Sequence, residues 1–600
     1  MSLPQTVAKD AEDLPEWRLS DLFPGHKSEE FQGAKTLAER ETTAFRDALK
    51  GHIVSLSPSA LAAAVERYDA LQDRLGKISS YVGLAFAADS SDAEIGKLYG
   101  DNGDWLTKIG SDLLFFELEL NRIPDEALAL ALGEPRVRRY KPWLDHLRAL
   151  KPYQLDDELE RAFLERAQTA NGAWIRLYDE TLTALRYDVR GKELTGEEAL
   201  HLLSEPERDL RRDAAAALSK TFKANLRLFA HVTNTLAKDK EIEDGWRKFP
   251  DATTSRHLAN RVEPEVVEAL ASSVRAAYPK LSHAYYALKA KLLKLDRLEH
   301  WDRNAPMPFA DDKKIDWPQA KSLVLDAYGA FSPRMADIAG GFFAKNWIDA
   351  KPRPGKTGGA FSHPTVPSAH PFILMSYQGK TRDVMTLAHE LGHGVHQVLA
   401  AHHGPILSDT PLTLAETASV FGEMLTFRAL LLAEREPRAR AAMLAAKVED
   451  MLNTVVRQIA FYTFERRVHA ARREGELTPD DLGRIWLEVQ TESLGPAFQF
   501  ADGYETFWCY ISHFIHSPFY VYAYAFGDCL VNSLYAAYEK SSDGFAERYL
   551  DLLAAGGTKH YREALAPFGL DPSDAAFWNK GLEMISGLIR ELETEIAALK

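Results

Sequence analysis

Apolar residues recur every three or four positions along most of this chain, the spacing of helices that bury one face. Residues 29–50 and 61–79 carry the pattern among charges, and 92–121 and 196–236 continue it, the last through the alanine-rich run 214–218. No internal repeat or low-complexity tract interrupts it. The rhythm changes between Ala350 and Lys380, where proline and glycine concentrate. Residues 371–377, Pro-Phe-Ile-Leu-Met-Ser-Tyr, are closed by Gln378-Gly379 and predict a short strand, because the run is brief and rich in aromatic and branched side chains. The pattern predicts a mostly α, multi-helical protein with a small β element. We place a boundary near residue 200, between a helical N-terminal lobe (1–200) and a second lobe (201–600) that carries the chemistry.

After the strand, Thr381 is a plausible N-cap and Asp383 favours the first turn, so a helix is expected through 384–401, stopping near Gly404-Pro405. Within it lies His389-Glu390-Leu391-Gly392-His393. Residues four apart share a helical face roughly 6 Å apart, so two imidazoles can reach one zinc ion. Glu390 lies about 100° round the helix from His389, beside the metal, where it can accept a proton from water. The pattern points to hydrolysis by metal-activated water.

Catalytic zinc usually takes three protein ligands. The zinc class that continues as H-E-x-x-H-x-x-G-x-x-H is excluded, because those later positions are His396 and Leu399. A glutamate on a following helix remains, and Thr413-Leu414-Ala415-Glu416 begins one. Thr413-x-x-Glu416 also reads as a capping box, in which case Glu423, two turns on along the same face, is the ligand. Spacing leaves both open. His396 lies on the metal-facing stripe, where it supports a ligand, touches substrate or is a core histidine. His402 and His403 sit at the frayed helix end.

Charge narrows the partners. With a formal net charge of −15 and no long basic run, the chain lacks the footprint that nucleic acids and anionic membranes demand. Only two cysteines, Cys509 and Cys529, are present, too few for a disulfide framework, and both read as buried small hydrophobes. The segment Met1 to Trp17, with Lys9, Asp10, Glu12, Asp13 and Glu16, has no apolar core and is not a secretory signal, and no stretch reaches membrane-span length. A cytoplasmic location is expected. Gly355-Lys356-Thr357-Gly358-Gly359 looks like the end of a phosphate loop, but position 350 is Ala and no helix is expected to follow, so a flexible loop is the better reading.

These residues together resemble a known family, the oligoendopeptidase F and thimet oligopeptidase group of zinc metallopeptidases, and most closely its bacterial oligoendopeptidase F branch. The resemblance rests on His389-Glu390-Leu391-Gly392-His393-x-x-His396, then Leu414-Ala415-Glu416-Thr417-Ala418-Ser419 with Glu423 close behind. His370-Pro371-Phe372-Ile373-Leu374, leading into Asp383-Val384, is similar too. So are the opening Trp17-Arg18-Leu19-Ser20-Asp21-Leu22-Phe23, the loop around Gly355-Lys356 and Gly359-Ala360-Phe361, and Gly556-Gly557 with Phe577-Trp578 near the end.

The resemblance implies a two-lobed helical fold with a deep central cleft, a small β-sheet beside the zinc helix and an N-terminal lobe roofing a channel for short unfolded peptides. It implies one zinc ion on His389, His393 and Glu416, with Glu423 orienting a ligand histidine. It also implies that His513 and Tyr524, with Tyr520, grip the peptide and its developing oxyanion; Tyr377 and His396 are further substrate contacts we expect. Ser517-Pro518 is read as a helix start that puts Tyr520 and Tyr524 on one face and turns Tyr522 elsewhere. The strand 372–377 is expected to offer an edge for an extended peptide. Oligomeric state is expected to be monomer or small homo-oligomer. The competing readings are an exopeptidase, with Lys380 or Arg382 closing the channel, a non-catalytic peptide binder, and a scaffold whose structural zinc recruits His396 as fourth ligand.

Overall fold

The structure is a computed structural model that describes residues 14–309 and 314–599. The reading of the first residues as free of a signal falls largely on 1–13, outside the described residues. The protein is mostly helical with a small sheet. The predicted helices are found at Glu29–Leu49, Pro58–Ala88 and Ala93–Arg122, while 196–236 divides into Gly196–His201 and Arg208–Arg247. Among the described residues, no helix is long and apolar enough to cross a membrane.

The chain divides into two compact units, each assembled from separate stretches: Met1–Glu165, Asp312–Ala433 and Ala537–Leu570 in the first, Arg166–Asp311, Glu434–Ala536 and Asp571–Lys600 in the second. This grouping differs from the single boundary expected near residue 200. Periodicity marks where elements begin and end; it carries no information on which distant helices pack together.

In the first unit, the three N-terminal helices close on an aromatic core in which Phe45 meets Phe116 edge-on at 5.0 Å and Tyr68 stacks on Trp143 at 5.9 Å. The unit also holds a three-stranded sheet in the order Ile348–Asp349, Phe372–Leu374, Phe361–His363. Phe372–Leu374 is the predicted strand, and all three of its side chains are buried. Its pairing with the first strand is parallel and with the third antiparallel. Amides beyond the strand continue the ladder, Met375 to Asp349 and Tyr377 to Ala350, each at 2.9 Å. Trp17 seals the sheet by meeting Phe372 edge-on at 5.7 Å.

The expectation of a peptide-accepting edge on this strand needs correction: it is the central strand, with both edges already paired. The outer strands are Ile348–Asp349 and Phe361–His363, and Gln397 of the next helix pins the latter, accepting from the Ser362 hydroxyl at 2.8 Å and donating to its carbonyl at 3.0 Å.

The glycine-rich loop after the first strand is tied down, not loose. The Lys356 ammonium is buried and donates to an Asp349 carboxylate oxygen at 2.6 Å and to the carbonyls of Asp349, Lys351 and Met375. A lysine turned inward onto a carboxylate has no charge to offer a phosphate.

In the second unit, the long helix Arg208–Arg247 runs against the segment Tyr504–Tyr510, and Pro437–Thr454 packs along Ala575–Ala598. Cys509 and Cys529 are buried and unpaired here, as their apolar surroundings in sequence indicated.

Candidate active site

The motif helix spans Thr381–Ala400. Its cap position is Lys380 and not the expected Thr381; the Asp383 carboxylate accepts from the backbone amides of Lys380 at 3.0 Å and Gln378 at 2.8 Å. A short helical turn at Ala401–His403 follows, and Gly404, at φ +85°, ends it.

After a one-turn helix at Pro405–Ser408, the helix Leu412–Ala433 crosses the motif helix at Gly392, where an added Cβ would meet the Ala418 carbonyl oxygen at 2.4 Å. Only a residue without a side chain permits that approach. The crossing brings Glu416 to the two histidines: one of its carboxylate oxygens is 3.5 Å from Nε2 of His389 and 3.5 Å from Nε2 of His393. Tetrahedral zinc at ~2.0–2.1 Å separates its ligand atoms by about 3.4 Å, so the Glu416 oxygen stands from each ring at the spacing such an ion requires. Among the described residues these three form the metal-competent cluster. Glu416 is therefore not spent on helix capping, and Ser419, one turn on, donates its hydroxyl to the same carboxylate at 2.7 Å. Glu423 takes the other side of His389, with its carboxylate 3.3 Å from Nδ1.

Charge agrees with geometry. Burial opposes a charged His389, yet the bond to Glu423 and the fields of Glu416 and Glu390 outweigh it and lift the ring to about 10. Burial pulls His393 down to about 4. Glu390 is only 5% exposed, and burial raises its carboxyl to about 7, with the Glu416 charge adding to the effect. Three carboxylates around two imidazoles make a pocket of negative charge that a dication neutralises.

His396 is not among the converging donors. It is buried, with Nε2 3.3 Å from the Thr410 hydroxyl, and burial lowers it to about 4. This corrects the expectation of a substrate contact and removes the fourth ligand that a structural zinc needs. Tyr377 requires a correction as well: it is 4% exposed, its hydroxyl donates to the Ile315 carbonyl at 2.8 Å, and its ring meets Trp317 edge-on. It faces the interior because its strand is buried on both faces. Lys380 and Arg382 are exposed at the start of the motif helix.

The second unit brings together the other expected residues. Nε2 of His513 lies 3.2 Å from the Tyr524 hydroxyl, Tyr520 stacks on His513 with ring centres 6.2 Å apart, and Tyr520 meets Tyr524 edge-on at 5.2 Å. Burial holds His513 below its usual value, so the ring is neutral near pH 7. The helix starts at Tyr522, not at Ser517-Pro518; Phe519, at φ +59°, breaks the chain between a one-turn helix at His513–His516 and Tyr522–Lys540. Tyr522 does turn elsewhere, its hydroxyl held by Asn260 at 2.8 Å and by the His257 ring at 3.1 Å.

Comparison with known proteins decides the family. Residues 201–584 match the sequence profile of peptidase family M3. The chain belongs to peptidase family M3. Residues 119–187 also match the profile described as oligopeptidase F. The oligopeptidase PepF of Bacillus subtilis is 25% identical over 610 aligned positions, covering 100% of this chain and 89% of its own. The group B oligopeptidase PepB of Streptococcus agalactiae is 24% identical, covering 98% of each. In fold, the chain resembles the oligoendopeptidase-F of Enterococcus faecium, with a TM-score of 0.73 at 20% identity over 95% of this chain and 99% of that one. As an M3 member the protein is a metallopeptidase of the oligopeptidase type, a family that works with a metal.

Sequence reasoning gave no role to Ser419, which it named only as part of a motif, or to Gln397. Ser419 was legible, because Glu416-x-x-Ser419 puts a hydroxyl one turn from the carboxylate. Gln397 was not, because its partner Ser362 lies beyond a loop.

Proposed function

We propose that this chain is a zinc-dependent oligoendopeptidase that cleaves internal bonds of short unfolded peptides, with His389, His393 and Glu416 holding one zinc ion and Glu390 as general base. One observation carries the reading: a Glu416 oxygen stands 3.5 Å from each histidine Nε2, beside a buried carboxylate that is not one of the three donors. Bound there, zinc supplies the Lewis acidity that makes water a nucleophile at neutral pH and polarises a carbonyl.

Glu390 takes the proton of the attacking water and passes it to the leaving amine. His389 is kept in its ligating orientation by Glu423. The family resemblance gives His513, Tyr520 and Tyr524 the grip on the peptide and its developing oxyanion, a role that suits a phenol hydroxyl, which donates without carrying charge itself. A cytoplasmic setting is part of this reading, and two buried, unpaired cysteines fit its reducing conditions.

The test pairs the wild type with Glu390→Gln on an internally quenched peptide blocked at both ends, with bound zinc measured in each. The variant is expected to keep its zinc and lose about 10²–10⁴-fold in kcat, because only the proton acceptor is gone. Equal turnover in both proteins removes Glu390 from the reaction, and a wild type that cleaves only unblocked peptides is an exopeptidase.

A further inference from the structure

Two guanidiniums of the second unit, those of Arg303 and Arg457, bond to neutral groups among the described residues. Arg303 follows the short turn His300–Asp302; its Nη2 donates to the Asn453 side-chain oxygen at 2.6 Å and its Nε to the Tyr286 hydroxyl at 3.4 Å. Arg457 stands four residues past Asn453, in the first turn of the helix Val456–Glu474, and its Nη2 donates to the Tyr510 hydroxyl at 3.0 Å. Its guanidinium lies 5.0 Å over the Phe461 ring. Every one of these partners is neutral.

The same turn treats its other arginines differently. Asp302 binds Arg211 at 2.9 Å and Arg208 at 2.8 Å. Arg303, the next residue, receives no acid. Nε of Arg457 is buried without a partner, and neither Nη1 atom has an acceptor among the described residues. Burial and the charge of Arg303 hold Arg457 below its ordinary value. Two like charges kept close in a desolvated site are a standing cost that an arriving anion relieves. Tyr510, which accepts from Arg457 at 3.0 Å, lies three residues before His513, in the cluster that grips peptide in the reading above.

We propose that Arg303 and Arg457 are a receptor for a free carboxylate of the bound peptide, its C-terminus or an acidic side chain. The planar forks of two guanidiniums match a carboxylate, and the hydroxyl of Tyr510 together with the Asn453 amide holds those forks in place. The proposal rests on the peptidase reading and adds to it a substrate class: peptides bearing a carboxylate within reach of the His513 cluster.

The test uses binding, so it does not depend on hydrolysis. In the Glu390→Gln protein, fluorescence anisotropy follows one labelled nonapeptide in three forms: a C-terminal acid, the plain amide, and the amide with Glu in the last position. The acid is expected to bind about 10–100-fold tighter than the plain amide, the worth of a charge-assisted hydrogen-bond pair. Arg457→Gln is expected to erase that gap and leave the plain amide within about twofold. Tight binding of the glutamyl amide as well assigns the carboxylate to a side chain; tight binding of the acid alone assigns it to the terminus. Equal affinity for all three forms, or a variant that weakens all three alike, overturns the proposal. Should Arg457→Gln fail to fold, Arg457→Lys keeps the charge without the fork and narrows the gap; an unchanged gap there overturns it too. An acid preference in a protein that cleaves no peptide would remove the hydrolase reading and leave the receptor standing.

Discussion

The carboxylate of Glu423 lies 3.3 Å from Nδ1 of His389, while Nε2 of the same ring faces Glu416 at 3.5 Å. One carboxylate thus fixes which nitrogen is protonated and leaves the other free to ligate. Replacing Glu423 by Ala is expected to weaken zinc binding about 10–100-fold with the fold retained. Competition against a chelator of known affinity measures this, and an unchanged zinc affinity would show that Glu423 orients nothing.

The Gly392 crossing sets the distance between the motif helix and Glu416. A methyl group there would stand 2.4 Å from the Ala418 carbonyl oxygen and 2.7 Å from the Ser419 Cα, so the helices must part. Gly392→Ala is expected to cost about 1–3 kcal/mol of stability. It is also expected to lower zinc affinity, because Glu416 retreats with its helix. Calorimetry and metal analysis of the one variant read both effects; wild-type Tm and zinc content together would refute the crossing as drawn.

Two neighbouring tyrosines are expected to behave oppositely. Tyr522→Phe strips a buried partner from Asn260 and His257 and is expected to cost about 1–3 kcal/mol of stability with kcat preserved. Tyr524→Phe removes the hydroxyl that stands 3.2 Å from Nε2 of His513, and is expected to lower kcat about 10–1000-fold with Tm preserved. Paired melting and turnover measurements separate them, and a reversed pattern would exchange their roles.

Glu465 gives the stability a pH dependence. Its Oε1 accepts from the Phe519 amide at 2.8 Å, its Oε2 is buried without a partner, and burial raises the carboxyl to about 8. Below the usual carboxyl value of 4.5, folded and unfolded chains are both protonated and the stabilising difference is whole. As pH climbs from there to about 8 the unfolded chain releases a proton the fold retains, so stability falls. Glu465→Gln is expected to flatten that decline, its Tm gaining on the wild type between pH 5 and pH 8. A Tm difference that does not change with pH rules the account out.

The metal-competent cluster was largely legible in the sequence. His389 and His393 sit four apart on one helix, and a helix has one geometry, so their convergence follows from local spacing. The choice between Glu416 and Glu423 did not follow, because both lie on one helical face and only the contact at Gly392 decides which carboxylate reaches the histidines. Tyr377 and His396 were misread for a related reason: polar side chains near a motif look available until packing closes over them.

Sequence by itself determined the helices, a strand within 371–377, the H-E-x-x-H motif and the family, because each is written in residues near one another along the chain or in their order. Tertiary structure alone decided that this strand is central, that the compact units are stitched from distant stretches, and that Arg303 meets Asn453 close to Arg457 with no acid between them. Those outcomes depend on which buried surfaces fit one another across hundreds of residues, and periodicity records only that a surface is to be buried, never against what.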